Sequence, residues 1–121
     1  MSKVPKCYIA GKIGGLPEEE WRRNFDRAKQ EVLEMGMSPV NPVELPHSHG
    51  RSWGEYMRED LIALLQCDCL YAQRNWRQSV GAEIEATLAL YVGIDILHQP
   101  CTNDEGTKFQ SIIKSIIHGN S

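Results

Sequence analysis

The stretch Ser79-Val80-Gly81-Ala82-Glu83-Ile84-Glu85 follows a short apolar run, Cys69–Ala72, and a polar loop, Gln73 to Gln78. A small hydroxyl, a glycine and a helix start beyond a strand end suit an anion or a sugar. Taking Val80 to Val92 as a helix at about 100° per residue places Leu88, Ala89 and Val92 around Glu85. Glu83 and Thr87 fall on the opposite, polar side. Glu85 therefore sits on the face that should be buried. An ionised carboxylate buried without partners is expensive, so its position points to chemistry.

A second acid is placed in the same way. Ser52 is an N-cap with Glu55 three residues on, a capping box that opens a helix running to about Gln66. Its apolar face carries Trp53, Met57, Leu61, Leu64 and Leu65, while Glu55, Glu59 and Gln66 lie opposite. Asp60 falls between Tyr56 and the Trp53/Leu64 ridge. A structural reading has it held by Arg58 or by a backbone amide. Two such acids on the helices flanking one strand favour a site instead.

The elements that must position these groups alternate. Val4 to Ala10 reads as a strand around Cys7-Tyr8-Ile9, followed by the turn Gly11-Lys12-Ile13-Gly14-Gly15. That turn allows close backbone approach to a ligand, and an unspecific tight turn is the other reading. It is neither G-x-G-x-x-G nor a Walker loop. A helix starts at Pro17, carries Trp21, Phe25, Ala28, Val32 and Met35 at helical spacing, and ends at Gly36. Its aromatics read as core. Met37 to Asn41 is a second strand, and a long loop from Asn41-Pro42 runs through His47, His49 and Gly50. A connection of that length tends to be functional or mobile. Cys67 to Ala72 is the third strand, Ile94 to Leu97 the fourth, and Asn103 or Asp104 starts a last helix carrying Phe109 and Ile112. The alternation argues an α/β three-layer sandwich: a parallel sheet of four or five strands with helices on both faces. Ligands bind such sheets beyond the carboxyl ends of the strands. Tyr8 with Gly11, the loop after Asn41, and Ser79 to Glu85 all map there.

The chain has 121 residues, 41% hydrophobic and 24% charged, with net charge −3. One domain over residues 1–121 with a proper core is expected. No basic block indicates a polynucleotide surface, and no apolar run approaches a membrane span of roughly 20 residues. The first residues lead straight into a strand without a signal-peptide core, so the cytoplasm is the expected compartment. Cys7, Cys67, Cys69 and Cys101 form no C-x-x-C motif. Cys67 and Cys69 read as small buried hydrophobes. His47 and His49 read as solvated loop histidines, because a metal needs a third ligand that the pattern does not supply. His98 and His118 suggest local capping only. No cofactor is expected.

Together these segments resemble the nucleoside 2-deoxyribosyltransferase superfamily. The resemblance rests on Tyr8-Ile9-Ala10-Gly11, Asn41-Pro42-Val43-Glu44, Asp60-Leu61 and Ser79-x-Gly81-x-x-x-Glu85. More narrowly, Tyr56 to Leu61, Cys67-Asp68 and Asn75-Trp76-x-x-Ser79-x-Gly81-Ala82 resemble a small bacterial and phage branch usually left as a domain of unknown function. The resemblance implies a flavodoxin-like sheet and cleavage of the N-glycosidic bond of a nucleoside or nucleotide. It implies Glu85 as nucleophile, Asp60 near the base, Tyr8 positioning the nucleophile, and Ser79 with Gly81 on a 5′-phosphate. It also implies a homo-oligomer with shared active sites.

Such a displacement uses a carboxylate to form a glycosyl-enzyme, which water or a second base resolves. Asp60 is the available acid for the leaving base. Transferases of this family carry a further acid in the loop before the nucleophile helix. Gln73 to Gln78 has none, but holds Arg74, Asn75, Trp76 and Arg77. Hydrolysis and base transfer thus both stay open. Trp76 can stack on a base or cover the sheet edge, and Arg74 and Arg77 can hold a phosphate or stay solvated. The expected function is cleavage of the N-glycosidic bond of a 2′-deoxynucleoside or nucleoside 5′-monophosphate. The alternatives are a non-catalytic nucleotide-binding module and a purely structural domain.

Overall fold

The computed structural model describes residues 3–47 and 50–100. The expected last helix, with Cys101 and His118, lies outside the described residues, as does His49. The described elements are β1 (Lys6–Ala10), α1 (Glu18–Glu34), β2 (Ser38–Val40), α2 (Trp53–Leu65), β3 (Cys69–Ala72), α3 (Val80–Val92) and β4 (Asp95–His98). Short 3-10 turns occupy Pro42–Glu44 and Trp76–Gln78. The four strands are parallel in the order β2-β1-β3-β4. This is a flavodoxin-like α/β sheet.

Alternation along β1 and β3 builds two cores. Cys7, Ile9, Cys69 and Tyr71 face Phe25, Ala28 and Val32 of α1. Tyr8, Ala10, Leu70 and Ala72 face Leu64 of α2 and Ala82 and Ala89 of α3. Both strands are buried on both faces, which is why they read as unbroken apolar runs. Cys7, Cys67 and Cys69 are free and buried, and burial pushes the Cys67 thiol up to about 11. The expectation of small buried hydrophobes holds for Cys67 and Cys69.

The strand order puts the topological switch between β1 and β3. From β1 the chain leaves through α1 toward β2, and from β3 it leaves through α3 toward β4. Ala10 and Ala72 are register partners, so Gly11 and Gln73 emerge side by side at the carboxyl end. The Gly11 turn is pinned to the loop before α3, because Lys12 N–H donates to Asn75 Oδ1 at 3.1 Å.

Boundaries and faces differ from expectation in several places. Val4 is exposed and β1 starts at Lys6. Asn41 does not extend β2; it caps the 3-10 turn, its Oδ1 accepting from Val43 N–H at 3.3 Å. The buried stripe of α3 is Ala82, Glu85, Ala86 and Ala89, while Val92 is exposed. Alanines let α3 lie close on the sheet, which leaves the larger side chains at its far end outside. On α2, Met57 and Leu64 are buried, but Leu65 and Trp53 are exposed. Both stand at helix ends, and Trp53 stands over a cavity. Gly36 (φ +82°) and Gly93 (φ +81°) take left-handed geometry at the ends of α1 and α3, as their sequence positions suggest.

Candidate active site

Glu85 lies one turn and a half into α3, on the face packed against the sheet, and is 5% exposed. Tyr8, fully buried in β1, donates its phenol O–H to Glu85 Oε2 at 2.6 Å. Burial and the nearby charge of Asp60 outweigh this hydrogen bond and push the Glu85 carboxyl up to about 8. Burial and the charges of Glu85 and Asp60 also push the Tyr8 phenol up, so it stays a donor.

Asp60 projects from the middle of α2 into the same space. Its partner is not Arg58 but His47, whose Nε2 lies 2.9 Å from Asp60 Oδ1. Burial raises the Asp60 carboxyl, and the contact with His47 opposes that rise. Glu59 Oε1 is 3.7 Å from the same ring nitrogen, and the ring stands edge-on to Tyr56 at 5.1 Å. The expectation of a solvated loop histidine is therefore overturned: the His47 side chain is only 17% exposed. The 3-10 turn capped by Asn41 brings the loop back over α2, where Asp60 and Tyr56 receive the imidazole. Sequence reasoning missed this because the pairing spans a loop. The signal that was present is a loop histidine following a strand end that already pointed at the site.

These groups open into a cavity of about 410 Å³ at the switch between β1 and β3. Gly11 and Gly14 form one wall, Ser79, Gly81 and Glu85 another, and His47 and Asp60 a third. Trp21, Trp53 and Tyr56 supply aromatic surface, with the fully buried Phe25 behind them. The reading of Trp21 and Phe25 as core covers only part of their role, since both also border this space. Trp53 was expected in the core and is 59% exposed at the cavity mouth.

Ser79 caps α3, its Oγ accepting from Ala82 N–H at 3.2 Å and its carbonyl from Glu83 N–H at 2.9 Å. The hydroxyl is thus committed as an acceptor but keeps its proton to donate. The next two amides, of Val80 and Gly81, begin the helix without intrahelical carbonyls. An added Cβ on Gly81 would stand 3.2 Å from Met57 Sδ and 3.9 Å from Trp53 Cζ2. Glycine there lets α2 approach and keeps the floor open.

Glu85, Asp60, Gly11, Ser79 and Gly81 line the cavity, and Tyr8 backs it through Glu85. Asn41 and Trp76 do not line it. Asn41 shapes the turn carrying Pro42 and Val43, which do. Trp76 packs against the core beside β4, 6.0 Å from the His98 ring, with the Arg77 guanidinium 4.7 Å from its own ring centre. Of the two readings of Trp76, this arrangement is cover for the sheet edge.

Residues 5–98 match the family described as Domain of unknown function (DUF4406), and the chain belongs to it. The fold is shared with solved 2-deoxyribosyltransferases. The 2-deoxyribosyltransferase of the psychrotolerant bacterium Bacillus psychrosaccharolyticus superposes with a TM-score of 0.59 at 20% identity, covering 77% of this chain and 70% of that one. The Leishmania mexicana 2-desoxiribosyltransferase gives 0.57 at 17% identity, covering 78% of this chain and 63% of its own. A conserved protein from Enterococcus faecalis V583 gives 0.57 at 16% identity, over 91% and 75%. At these identities the likeness is one of fold. No protein of curated function matches the chain. Among the described residues no helix is long and apolar enough to cross a membrane.

Proposed function

We propose that the protein cleaves the N-glycosidic bond of a 2′-deoxynucleoside or nucleoside 5′-monophosphate through a glycosyl-enzyme on Glu85. The observation that carries this reading is the buried Glu85, hydrogen-bonded to Tyr8 and facing Asp60 across one cavity. Glu85 Oε attacks the anomeric carbon as the bond to the base breaks. The base leaves with the bonding electron pair and takes a proton from the Asp60–His47 pair. Water then attacks the anomeric carbon of the ester, releases Glu85, and returns a proton to that pair. Tyr8 holds Glu85 in line. Ser79 and the first amides of α3 suit a 5′-phosphate, and the aromatic walls suit a base. With no acid in Gln73 to Gln78, water is the acceptor this reading favours over a second base.

The partner of this site is thus a small nucleoside or nucleotide. A second copy of the chain is the further partner. Val80, Ile84, Thr87 and Tyr91 share one face of α3 at about 100° per residue. Val80, Ile84 and Tyr91 on it are 67%, 39% and 82% exposed. That stripe begins beside Trp53 at the cavity mouth, so a copy packed on it reaches the site.

The test is release of free base from a panel of deoxynucleosides and their monophosphates, followed by chromatography. Release is expected from the native protein and should fall at least a thousandfold, on the order of 4 kcal/mol, in Glu85→Ala. Full activity of that variant removes the proposal. A non-catalytic nucleotide-binding module is the second reading, motivated by the same acid-free loop. Saturable nucleotide binding without base release would favour it.

A further inference from the structure

A recess of about 480 Å³ adjoins the Glu85 cavity at the start of α3. It shares Gly14, Trp53, Ser79 and Gly81 with that cavity and adds Lys12 and Gln78, which the cavity lacks. Among the described residues that line it, Lys12 carries the only charge, and no acid offsets it.

The turn after β1 aims this charge. Lys12 N–H is fixed on Asn75 Oδ1 at 3.1 Å. The side chain folds back over the turn, since a Cβ added to Gly15 would stand 3.7 Å from Lys12 Cε and 3.8 Å from Nζ. Nζ reaches the loop before α3 and donates to the Gln78 carbonyl at 3.4 Å. That contact is long, and an ammonium keeps further protons for a ligand. Gly14 leaves the neighbouring wall bare, because a Cβ there would meet nothing within 4 Å. Trp53, 59% exposed, lines both spaces.

Position determines what this charge can read. Ser79 and Gly81 face both spaces, so a 5′-phosphate held on them stands at the boundary. Lys12 lines only the recess, so its charge lies beyond the phosphate next to the sugar. We propose that the recess receives a second phosphate, and that the site takes nucleosides carrying a 5′-diphosphate. This rests on the nucleotide reading of the Glu85 cavity and extends it. Lys12 meets the distal phosphate as a compact point charge. The recess, about 480 Å³ against about 410 Å³ for the nucleoside cavity, is larger than one phosphate requires. With Trp53 as a face on which a base can stack, the diphosphate can be terminal or can join a second nucleoside.

Binding is measured by calorimetry on Glu85→Gln, an isostere of the protonated acid, so that base release plays no part. The probes are the common deoxynucleosides, their 5′-monophosphates and their 5′-diphosphates, at constant ionic strength. The diphosphates should bind about tenfold more tightly than the monophosphates, the worth of one charge-assisted contact. Adding Lys12→Met should abolish that gain and leave monophosphate affinity within about twofold, whereas Lys12→Arg should keep the gain. Equal affinity for mono- and diphosphates overturns the proposal. So does a Lys12→Met variant that weakens both alike, because Lys12 then serves the first phosphate, and so does the absence of nucleotide binding. Diadenosine 5′,5′-diphosphate separates the two sources. Binding as tight as that of adenosine 5′-diphosphate supports a bridged diphosphate, and weaker binding supports a terminal one. Failure here and failure of the glycosidic reading are distinguishable. A diphosphate preference without base release by the native protein keeps the recess and removes the cleavage; base release with no preference for the second phosphate does the reverse.

Discussion

Glu85 is held between opposing influences. Burial and Asp60 favour its neutral form, and the Tyr8 hydrogen bond favours its charged form. A nucleophile must be ionised, so base release should rise with pH and level off above about 8, where the carboxyl titrates. Tyr8→Phe removes the influence that lowers this value. Its pH–rate profile should move upward, with a lower rate at neutral pH; an unshifted profile would separate Tyr8 from the nucleophile. The same group has a stability consequence of fixed sign. Its carboxyl titrates higher in the folded than in the unfolded chain, so the folded state binds more protons between the two values. Stability should therefore fall as pH rises from about 4.5 to about 8 and then level off. Each pH unit in that window costs on the order of 1.4 kcal/mol at most. Chemical denaturation of Glu85→Gln across the window should show a shallower pH dependence than the native protein.

The helices bring these residues together by close approach. Ala82, Ala86 and Ala89 let α3 lie on β1 and β3, and Gly81 admits Met57 from α2. Gly11 performs the same service for Gln73. Gly11→Ala should destabilise the protein by about 1–3 kcal/mol, since the new methyl overlaps a side chain that is itself enclosed. Urea denaturation measures this, and no change in midpoint would mean that Gln73 moves freely. Much at this scale was legible in the chain. The Ser52–Glu55 capping box and the glycine stops at Gly36 and Gly93 are local features, and each forms as read. The misread positions, Trp53, Leu65 and Val92, lie at helix ends. There the helical period still marks a face, but the neighbouring element no longer covers it.

At the scale of the molecule, the order β2-β1-β3-β4 sends the connections leaving β1 and β3 to opposite sides of one crevice. Asp60, Ser79, Gly81 and Glu85 converge at that crevice with Tyr8 behind them, although Tyr8 and Glu85 are 77 residues apart. The exposed stripe on α3 makes the assembly part of the question. Ile84→Lys combined with Tyr91→Lys should convert an oligomer to a monomer by light scattering and lower base release with it. Those positions are outside the cavity, so monomers that keep full activity would show that each copy carries a complete site.

Periodicity along the chain was enough to place Glu85 and Asp60 on buried faces, because facing follows from a fixed angle per residue. The parallel sheet and the two-sided burial of β1 and β3 followed from alternation of elements in the same way. Tertiary structure alone decided that His47 pairs with Asp60, that Trp53 borders a cavity, and that Trp76 covers an edge. It alone packs the Gln73 carboxamide on Gly11 and leaves its Nε2 without a hydrogen-bond partner. Each of these depends on which segments meet in space across a loop or a strand crossing, and no local period carries that information.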